Sequence, residues 1–174
     1  MKNLFLLPLA MFALACSGPE KEAPSETEKS TVVLPYTAGY ITEINSDVSD
    51  NDLLTVLNSY KAWETGDMAM LRSTFADTLR FTRWDGEAST GPTDNVIEKW
   101  KAFRDSLSSV VIKMAVWDKN HAVDRNEDYI TVWYREIDTY KDGRIDSAEW
   151  HDVNQIANGK IVRYLQYRRK FKPN

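Results

Sequence analysis

The sequence has 174 residues, with 22 Lys and Arg against 26 Asp and Glu, a formal net charge of −4 and 43% hydrophobic residues. A domain of this length buries enough surface to fold without a metal or a disulfide. The single Cys excludes an internal disulfide, and with only two His a Cys- or His-rich metal site is not expected. The acidic balance argues against nucleic-acid binding, which draws on clustered Lys and Arg. We therefore expect no metal, no cofactor and no nucleic-acid partner.

The N-terminus has the pattern of an export signal. Lys2 precedes an apolar run over residues 4–14, which is too short to span a membrane and is interrupted by Pro8. The run ends in Ala13-Leu14-Ala15-Cys16, which resembles the lipobox of bacterial lipoproteins. The resemblance implies that residues 1–15 are a signal peptide and that Cys16 carries a triacyl anchor that includes palmitate, which attaches the protein to a membrane. A plain signal peptide with an incidental Cys is the alternative.

The residues that follow Cys16 indicate a location and a spacer. Ser17 is not the Asp that often marks retention at the inner membrane, so the resemblance favours the outer membrane of a bacterial cell envelope, with the leaflet left open. Residues 16–31 are polar and charged and contain two prolines, so we expect a disordered tether. Residues 32–48 are more apolar and are expected to pack on a domain formed by residues 49–174.

The domain begins with helices and ends with strands. N-cap residue types at 49–52 and apolar residues at helical spacing up to Gly66 predict a first helix, and Asp67 caps a shorter second one. Residues 79–84 alternate as a strand, and Gly91 and Pro92 precede a third helix. Four segments rich in β-branched and aromatic residues follow, at 110–117, 129–137, 147–156 and 160–171. This order predicts an α+β domain with antiparallel strands.

The chain resembles the nuclear transport factor 2-like superfamily, which includes SnoaL-like polyketide cyclases and ketosteroid isomerases. The resemblance covers about residues 50–171 and lies in four motifs: Tyr60-x-x-Trp63-x-x-Gly66-Asp67, Phe75-Ala76-Asp77 before a strand, the helix led by Gly91, and Asn158-Gly159-Lys160-Ile161-Val162. It implies a cone-shaped α+β barrel in which three N-terminal helices pack in a strongly curved antiparallel sheet. In this family the interior of the cone is a pocket for a small, mostly apolar molecule.

The resemblance implies which residues line the pocket, and strand alternation adds Tyr164 and Gln166, unless a one-residue bulge reverses the faces of that strand. Seven residues are the predicted ligand contacts: Tyr60, Trp63, Phe81, Arg83, His151, Tyr164 and Gln166. Arg83 falls where a ketosteroid isomerase has its general base, and a guanidinium cannot abstract a proton near neutral pH. His151 falls where that enzyme has its proton-donating Asp, so any catalysis would depend on His151. A hydrogen-bonded core histidine is the alternative interpretation of His151.

Two further sequence features, residues 138–149 and His121, could be either functional or purely structural. Residues 138–149 match a calcium EF-hand loop at its positions 1, 5, 6, 9 and 12, from Asp138 to Glu149. Tyr140 stands at position 3 and the flanks read as strands, so a hairpin turn explains the same residues and calcium binding stays open. His121 lies in a polar stretch and is expected to be an exposed loop residue.

These observations lead to one expected function and two alternatives. We expect a membrane-anchored lipoprotein with a small-molecule-binding SnoaL-like pocket and no catalytic activity. The first alternative is a hydrolase, dehydratase or cyclase that acts on a small apolar substrate through His151. The second is an interaction module that forms a homodimer through the open face of its sheet.

Overall fold

The computed structural model describes residues 33–36 and 48–170. The predicted signal peptide, Cys16 and the tether lie outside the described residues. Within residues 32–48, which were expected to pack on the domain, Leu34 and Tyr36 pack against the core. The Tyr36 hydroxyl donates a hydrogen bond to Oε2 of Glu64 at 3.2 Å. Within the described ranges, no helix has both the length and the apolar character that crossing a membrane requires.

Three helices and six strands are found in the described residues, in the chain order α1 (Asp50–Thr65), α2 (Met68–Thr74), β1 (Phe75–Thr82), β2 (Ala88–Pro92), α3 (Thr93–Arg104), β3 (Leu107–Ala122), β4 (Glu127–Tyr140), β5 (Ile145–Ala157) and β6 (Lys160–Lys170). The strands form one sheet in the order β2-β1-β6-β5-β4-β3. The helices and this curved sheet form a cone-shaped α+β barrel.

Local side-chain chemistry sets the boundaries of the first two helices. The Ser49 hydroxyl accepts a hydrogen bond from the N–H of Asp52 at 3.1 Å and starts α1. Gly66 ends α1 in the left-handed conformation, with φ at +78°, which suits a residue without a Cβ. Asp67 then caps α2 by accepting a hydrogen bond from the N–H of Met70 at 2.9 Å. The predicted helix boundaries are confirmed here because each depends on neighbouring residues.

The sheet differs from the prediction in two respects. β1 pairs with β6 in parallel, so the sheet is mixed and not wholly antiparallel. Strand β2 was not predicted, because its sequence ASTGP contains Ala, Gly and Pro, which are depleted in strands, and only one β-branched residue, Thr90. It forms only by antiparallel pairing with β1 at the edge of the sheet.

The core lies between the helices and the inner face of the sheet. Leu57 of α1, Leu79 of β1, Ile130 of β4 and Ile161 of β6 are completely buried there. Arg104 joins α3 to α1, since its guanidinium donates hydrogen bonds at 3.0 Å to the carbonyl oxygens of Trp63 and Glu64. These carbonyls belong to the last turn of α1, where helical partners are missing. Helices α1 and α3 are therefore fixed to each other.

Candidate functional site

A cavity of about 460 Å³ lies between the helices and the inner face of the sheet. This volume is in the range of small-molecule binding sites. Eleven of the residues that line it are aromatic: Tyr60, Trp63, Phe75, Phe81, Trp84, Trp100, Phe103, Tyr134, Tyr140, Trp150 and Tyr164. The rings come from both helices and strands, so the cavity depends on the whole fold. Because most of its lining is aromatic, its surface is mainly apolar.

One side of the cavity is held in place by a buried carboxyl group. The hydroxyls of Tyr60, Tyr134 and Tyr164 all donate to Oδ2 of Asp152, at 3.1, 2.9 and 2.6 Å. Asp152 itself is completely buried behind these rings. A phenol has a single proton to donate, so these three hydroxyls are committed to Asp152. The arrangement fixes the tyrosine rings and leaves their faces and edges to contact a ligand.

Asp152 is poised to change charge near neutral pH. Burial raises its pKa to about 7, although the three tyrosine hydrogen bonds favour the ionised form. Burial, together with the negative charge of Asp152, also raises the pKa of each of these tyrosines well above its usual value. The tyrosines therefore remain protonated donors throughout the physiological range.

A second pair of acids, Glu136 and Asp138, lines the cavity from strand β4. Each is only 7% exposed. The charge of Asp138 acts on Glu136, and the Trp63 side chain is a polar neighbour of Glu136. Burial, followed by the charge of Asp138, raises the pKa of Glu136, and burial with the charge of Asp146 raises the pKa of Asp138 to about 6. The pair therefore tends to hold a proton.

An ion pair lies beside these acids. Nη2 of Arg168 is 2.7 Å from Oδ2 of Asp146, and the guanidinium lies over the rings of Trp84 and Trp150, 5.3 and 5.1 Å from their centroids. Burial opposes ionisation of Asp146, but the hydrogen bond and charge of Arg168 outweigh it and lower the pKa. Asp146 is also the cross-strand partner of Asp138. The cavity thus places an acid with a lowered pKa opposite one with a raised pKa.

Most of the predicted contact residues do lie at this cavity: Tyr60, Trp63, Phe81, Arg83, Tyr164 and Gln166. The Phe81 ring stacks on Tyr164, with centroids 5.7 Å apart, and Gln166 donates a hydrogen bond to the Tyr164 hydroxyl at 3.1 Å. Arg83 is bound by Asp85 and Glu87. Its charge is therefore already engaged by two carboxylates of the same turn.

The prediction that His151 faces the cavity is wrong. Its ring lies on the other face of β5, stacked on Trp133 with centroids 4.3 Å apart and tilted against Tyr167 at 5.7 Å. In this part of β5 the inner face carries the polar Asp152, and the outer face carries the apolar Val153 together with His151. The alternation of apolar and polar residues therefore assigns the inner face to the wrong set of residues. Burial lowers the pKa of His151, which favours the neutral ring. A catalytic role for His151 in the cavity has no structural basis.

The acids of the cavity are functional candidates that sequence reasoning missed. Their signal was present in β4, where the buried residues Ile130, Val132 and Tyr134 alternate. The same alternation continues to Glu136 and Asp138 and places both on the inner face. The sequence interpretation placed Asp138 in a hairpin turn and did not consider Glu136, because charged residues are mostly exposed.

The structure also shows where the EF-hand-like residues 138–149 and His121 lie. Residues 138–149 form the β4–β5 hairpin, with strands on both sides where an EF-hand has helices, and Asp138 and Glu149 fall on opposite faces of the sheet. His121 lies in β3, not in an exposed loop, and its Nδ1 is 2.7 Å from Oδ1 of Asp128. Among the described residues, no group of three or more His, Cys, Asp or Glu side chains is arranged to hold a metal ion.

Comparison with known proteins identifies the fold. No protein-family model and no curated protein matches the chain. An NTF2-like protein of unknown function from Burkholderia pseudomallei is 18% identical, with a TM-score of 0.55, and the match covers 67% of this chain and 89% of that one. An LEH-like epoxide hydrolase from M. tuberculosis is 9% identical, with a TM-score of 0.59, and the match covers 69% of this chain and 84% of that one. Identities this low establish the fold and not the activity. The described domain therefore has the NTF2-like fold, the cone-shaped α+β barrel that the family resemblance implied.

Proposed function

We propose that this protein is a membrane-anchored lipoprotein whose cone cavity binds one small, largely apolar molecule. The observation that carries the proposal is the aromatic cavity of about 460 Å³, whose three innermost tyrosine hydroxyls are already bound to Asp152. A cavity that offers many ring surfaces, and in which these three hydroxyl protons are already engaged, favours a ligand held mainly by apolar contact. This proposal describes binding without catalysis.

One wall of the cavity is suited to a flat or ring-containing ligand. The Trp100 ring is perpendicular to the rings of both Phe81 and Tyr164, with centroids 5.3 and 5.8 Å away. Such edge-to-face arrangements add to the stability that area burial gives. Because the rings support one another, the wall keeps its shape without a ligand, and little ordering cost is expected on binding.

A fluorescence titration tests the proposed pocket. Prodan, an uncharged naphthalene dye, is expected to bind the protein in a saturable, one-to-one manner with a blue-shifted emission. Val96→Trp places a large ring in the cavity from α3 and is expected to weaken binding at least tenfold, whereas Val111→Trp, on the exposed outer face, is expected to leave the affinity unchanged. Equal binding by both variants would place the dye outside the cavity and contradict the proposal.

The lipid anchor is proposed from the residues around Cys16. The Ala13-Leu14-Ala15-Cys16 sequence supports processing before Cys16 and attachment to the bacterial cell envelope, with the outer membrane favoured by Ser17. Growth of producing cells with an alkyne-bearing palmitate is expected to label the protein, and Cys16→Ser is expected to abolish the label. Labelling that persists in Cys16→Ser would contradict the anchor.

Acid–base catalysis in the same cavity is a second candidate function, carried by Asp138 and Asp146 and not by His151. Environments that push two pKa values apart provide one acid and one base, and here Asp138 is raised and Asp146 lowered. For an epoxide, Asp146 would accept a proton from water, the water oxygen would bond to carbon, and the released ring oxygen would take the proton of Asp138. Hydrolysis of styrene oxide that falls at least 100-fold in Asp146→Asn would support this candidate. Turnover unaffected by the substitution would remove it.

Homodimer formation is a further proposal. It is supported by the exposed outer face of the sheet, where Tyr167 is 54% exposed beside His151 and Trp133. Sedimentation that shows only monomer at micromolar concentration would contradict it.

A further inference from the structure

An apolar ligand alone does not account for Glu136 and Asp138. Two carboxyl groups that are each 7% exposed and are neighbours on one face of a strand are costly to bury unless a positive charge or a donor accompanies them. Protein cores usually provide such a partner in the form of Arg or Lys. Of the residues that the structure describes, none forms an ion pair with either carboxylate, and Oδ1 of Asp138 has no hydrogen-bond partner.

The basic side chains around the cavity are engaged elsewhere or exposed. Arg168 is paired with Asp146 at 2.7 Å, and Arg83 is paired with Asp85 and Glu87. Lys99, which also lines the cavity, lies on the exposed side of α3. The charge of Arg168 favours ionisation of both acids of β4, but among the described residues no basic side chain forms an ion pair with either of them.

The aromatic residues beside these acids are suited to a positive charge. Trp63 is a polar neighbour of Glu136 and stacks on Phe103, with ring centroids 6.1 Å apart. Phe103 in turn contacts Tyr140, whose ring has the guanidinium of Arg144 at 4.0 Å. Aromatic faces attract cations, most strongly where water is excluded. Rings and carboxylates together form a setting in which an organic cation is better placed than a neutral group.

We propose that the ligand of the cavity is a protonated amine with an apolar body. Its ammonium lies against Glu136 and Asp138 and donates a hydrogen bond to Oδ1 of Asp138, and its body packs among the cavity rings. This inference rests on the proposed function and assigns its ligand class. The raised pKa of Asp138, which burial causes, agrees with a carboxyl group that lacks its cation.

Calorimetric titration with three probes of similar size tests the ligand class. Phenethylamine is a cation at neutral pH, phenethyl alcohol is neutral, and phenylacetate is an anion. The full-length protein is expected to bind phenethylamine at least tenfold more tightly than phenethyl alcohol, and phenylacetate more weakly than either. Equal binding of the amine and the alcohol, or preference for phenylacetate, would overturn the amine assignment and leave the proposed pocket standing. No binding of any probe, together with no binding of prodan, would overturn both.

Matched substitutions locate the ammonium. Asp138→Asn keeps the shape of the side chain and is expected to lower the affinity for phenethylamine at least tenfold, and Glu136→Gln is expected to lower it as well. Asp105→Asn removes the same charge from the exposed end of α3 and is expected to leave the affinity unchanged. A thermal unfolding transition in each variant shows that it is folded. Affinity retained in a folded Asp138→Asn variant would overturn the proposal.

Discussion

Replacement of Asp152 by Ala is expected to lower the free energy of unfolding by about 4 kcal/mol. The substitution removes the shared acceptor of Tyr60, Tyr134 and Tyr164 and leaves three buried hydroxyl protons without an acceptor. Each unsatisfied buried donor costs about 1 to 3 kcal/mol, and loss of the buried charge offsets part of the sum. Chemical denaturation followed by tryptophan fluorescence measures the change.

Asp152→Asn is the matched control. Asn keeps an acceptor oxygen at the same position and resembles the protonated carboxyl group, so near pH 5 its stability is expected to lie within about 1 kcal/mol of the parent protein. If Ala and Asn were equally destabilising, the loss would come from the ionisable carboxyl group that both variants lack, and not from the acceptor oxygen that only Asn keeps. The account of three tyrosines held by one acceptor would then be wrong.

Stability is expected to fall as the pH rises from about 5 to about 8, which is opposite to the behaviour of proteins dominated by salt-bridged carboxylates. Burial raises the pKa of Asp138 to about 6 and that of Asp152 to about 7, both above the usual value of 3.8. The folded state therefore binds more protons than the unfolded state in this range. The contribution of the two protonated carboxyl groups to the free energy of unfolding is complete below about pH 4. It is lost as the pH rises through the folded-state pKa values of Asp138 and Asp152.

The size of this effect is measurable by thermal unfolding. The two carboxyl groups are expected to lower the unfolding midpoint by about 10 °C between pH 5 and pH 8. His151 opposes them in part, because burial lowers its pKa and its neutral form is favoured as the pH rises. Asp152→Asn is expected to flatten the profile. A midpoint that rises over this range in the parent protein would contradict the assignment of buried, protonated carboxyls.

Local chemistry explains which parts of the fold were predictable. The caps at Ser49, Gly66 and Asp67 act on backbone groups a few residues away, so the sequence is sufficient to place the first two helices. Strand β2 depends on β1 for its hydrogen bonds and has no intrinsic strand preference. The parallel pairing of β1 with β6 joins segments far apart in the chain, and no local pattern specifies it.

The candidate site likewise has parts that neighbouring residues determine and parts that depend on residues far away in the chain. Tyr60 belongs to the buried stripe of α1, so helical spacing was enough to orient it. Asp152 was not predicted to be buried, because hydrogen bonds from tyrosines of three other elements compensate the cost of burying its carboxyl group. One of these tyrosines is 92 residues away in the chain. Glu136 and Asp138 were missed because charged residues on a strand near a turn are usually solvated. The polar chemistry of this cavity is thus a tertiary property.

The central claim is that the cone cavity holds a small molecule, and a crystal structure of the protein grown with prodan tests it most directly. The account predicts electron density for one dye molecule inside the cavity, in contact with Trp63, Trp100 and Tyr164. Density for the dye only on the outer face of the sheet, or a cavity closed by its own side chains, would contradict the account.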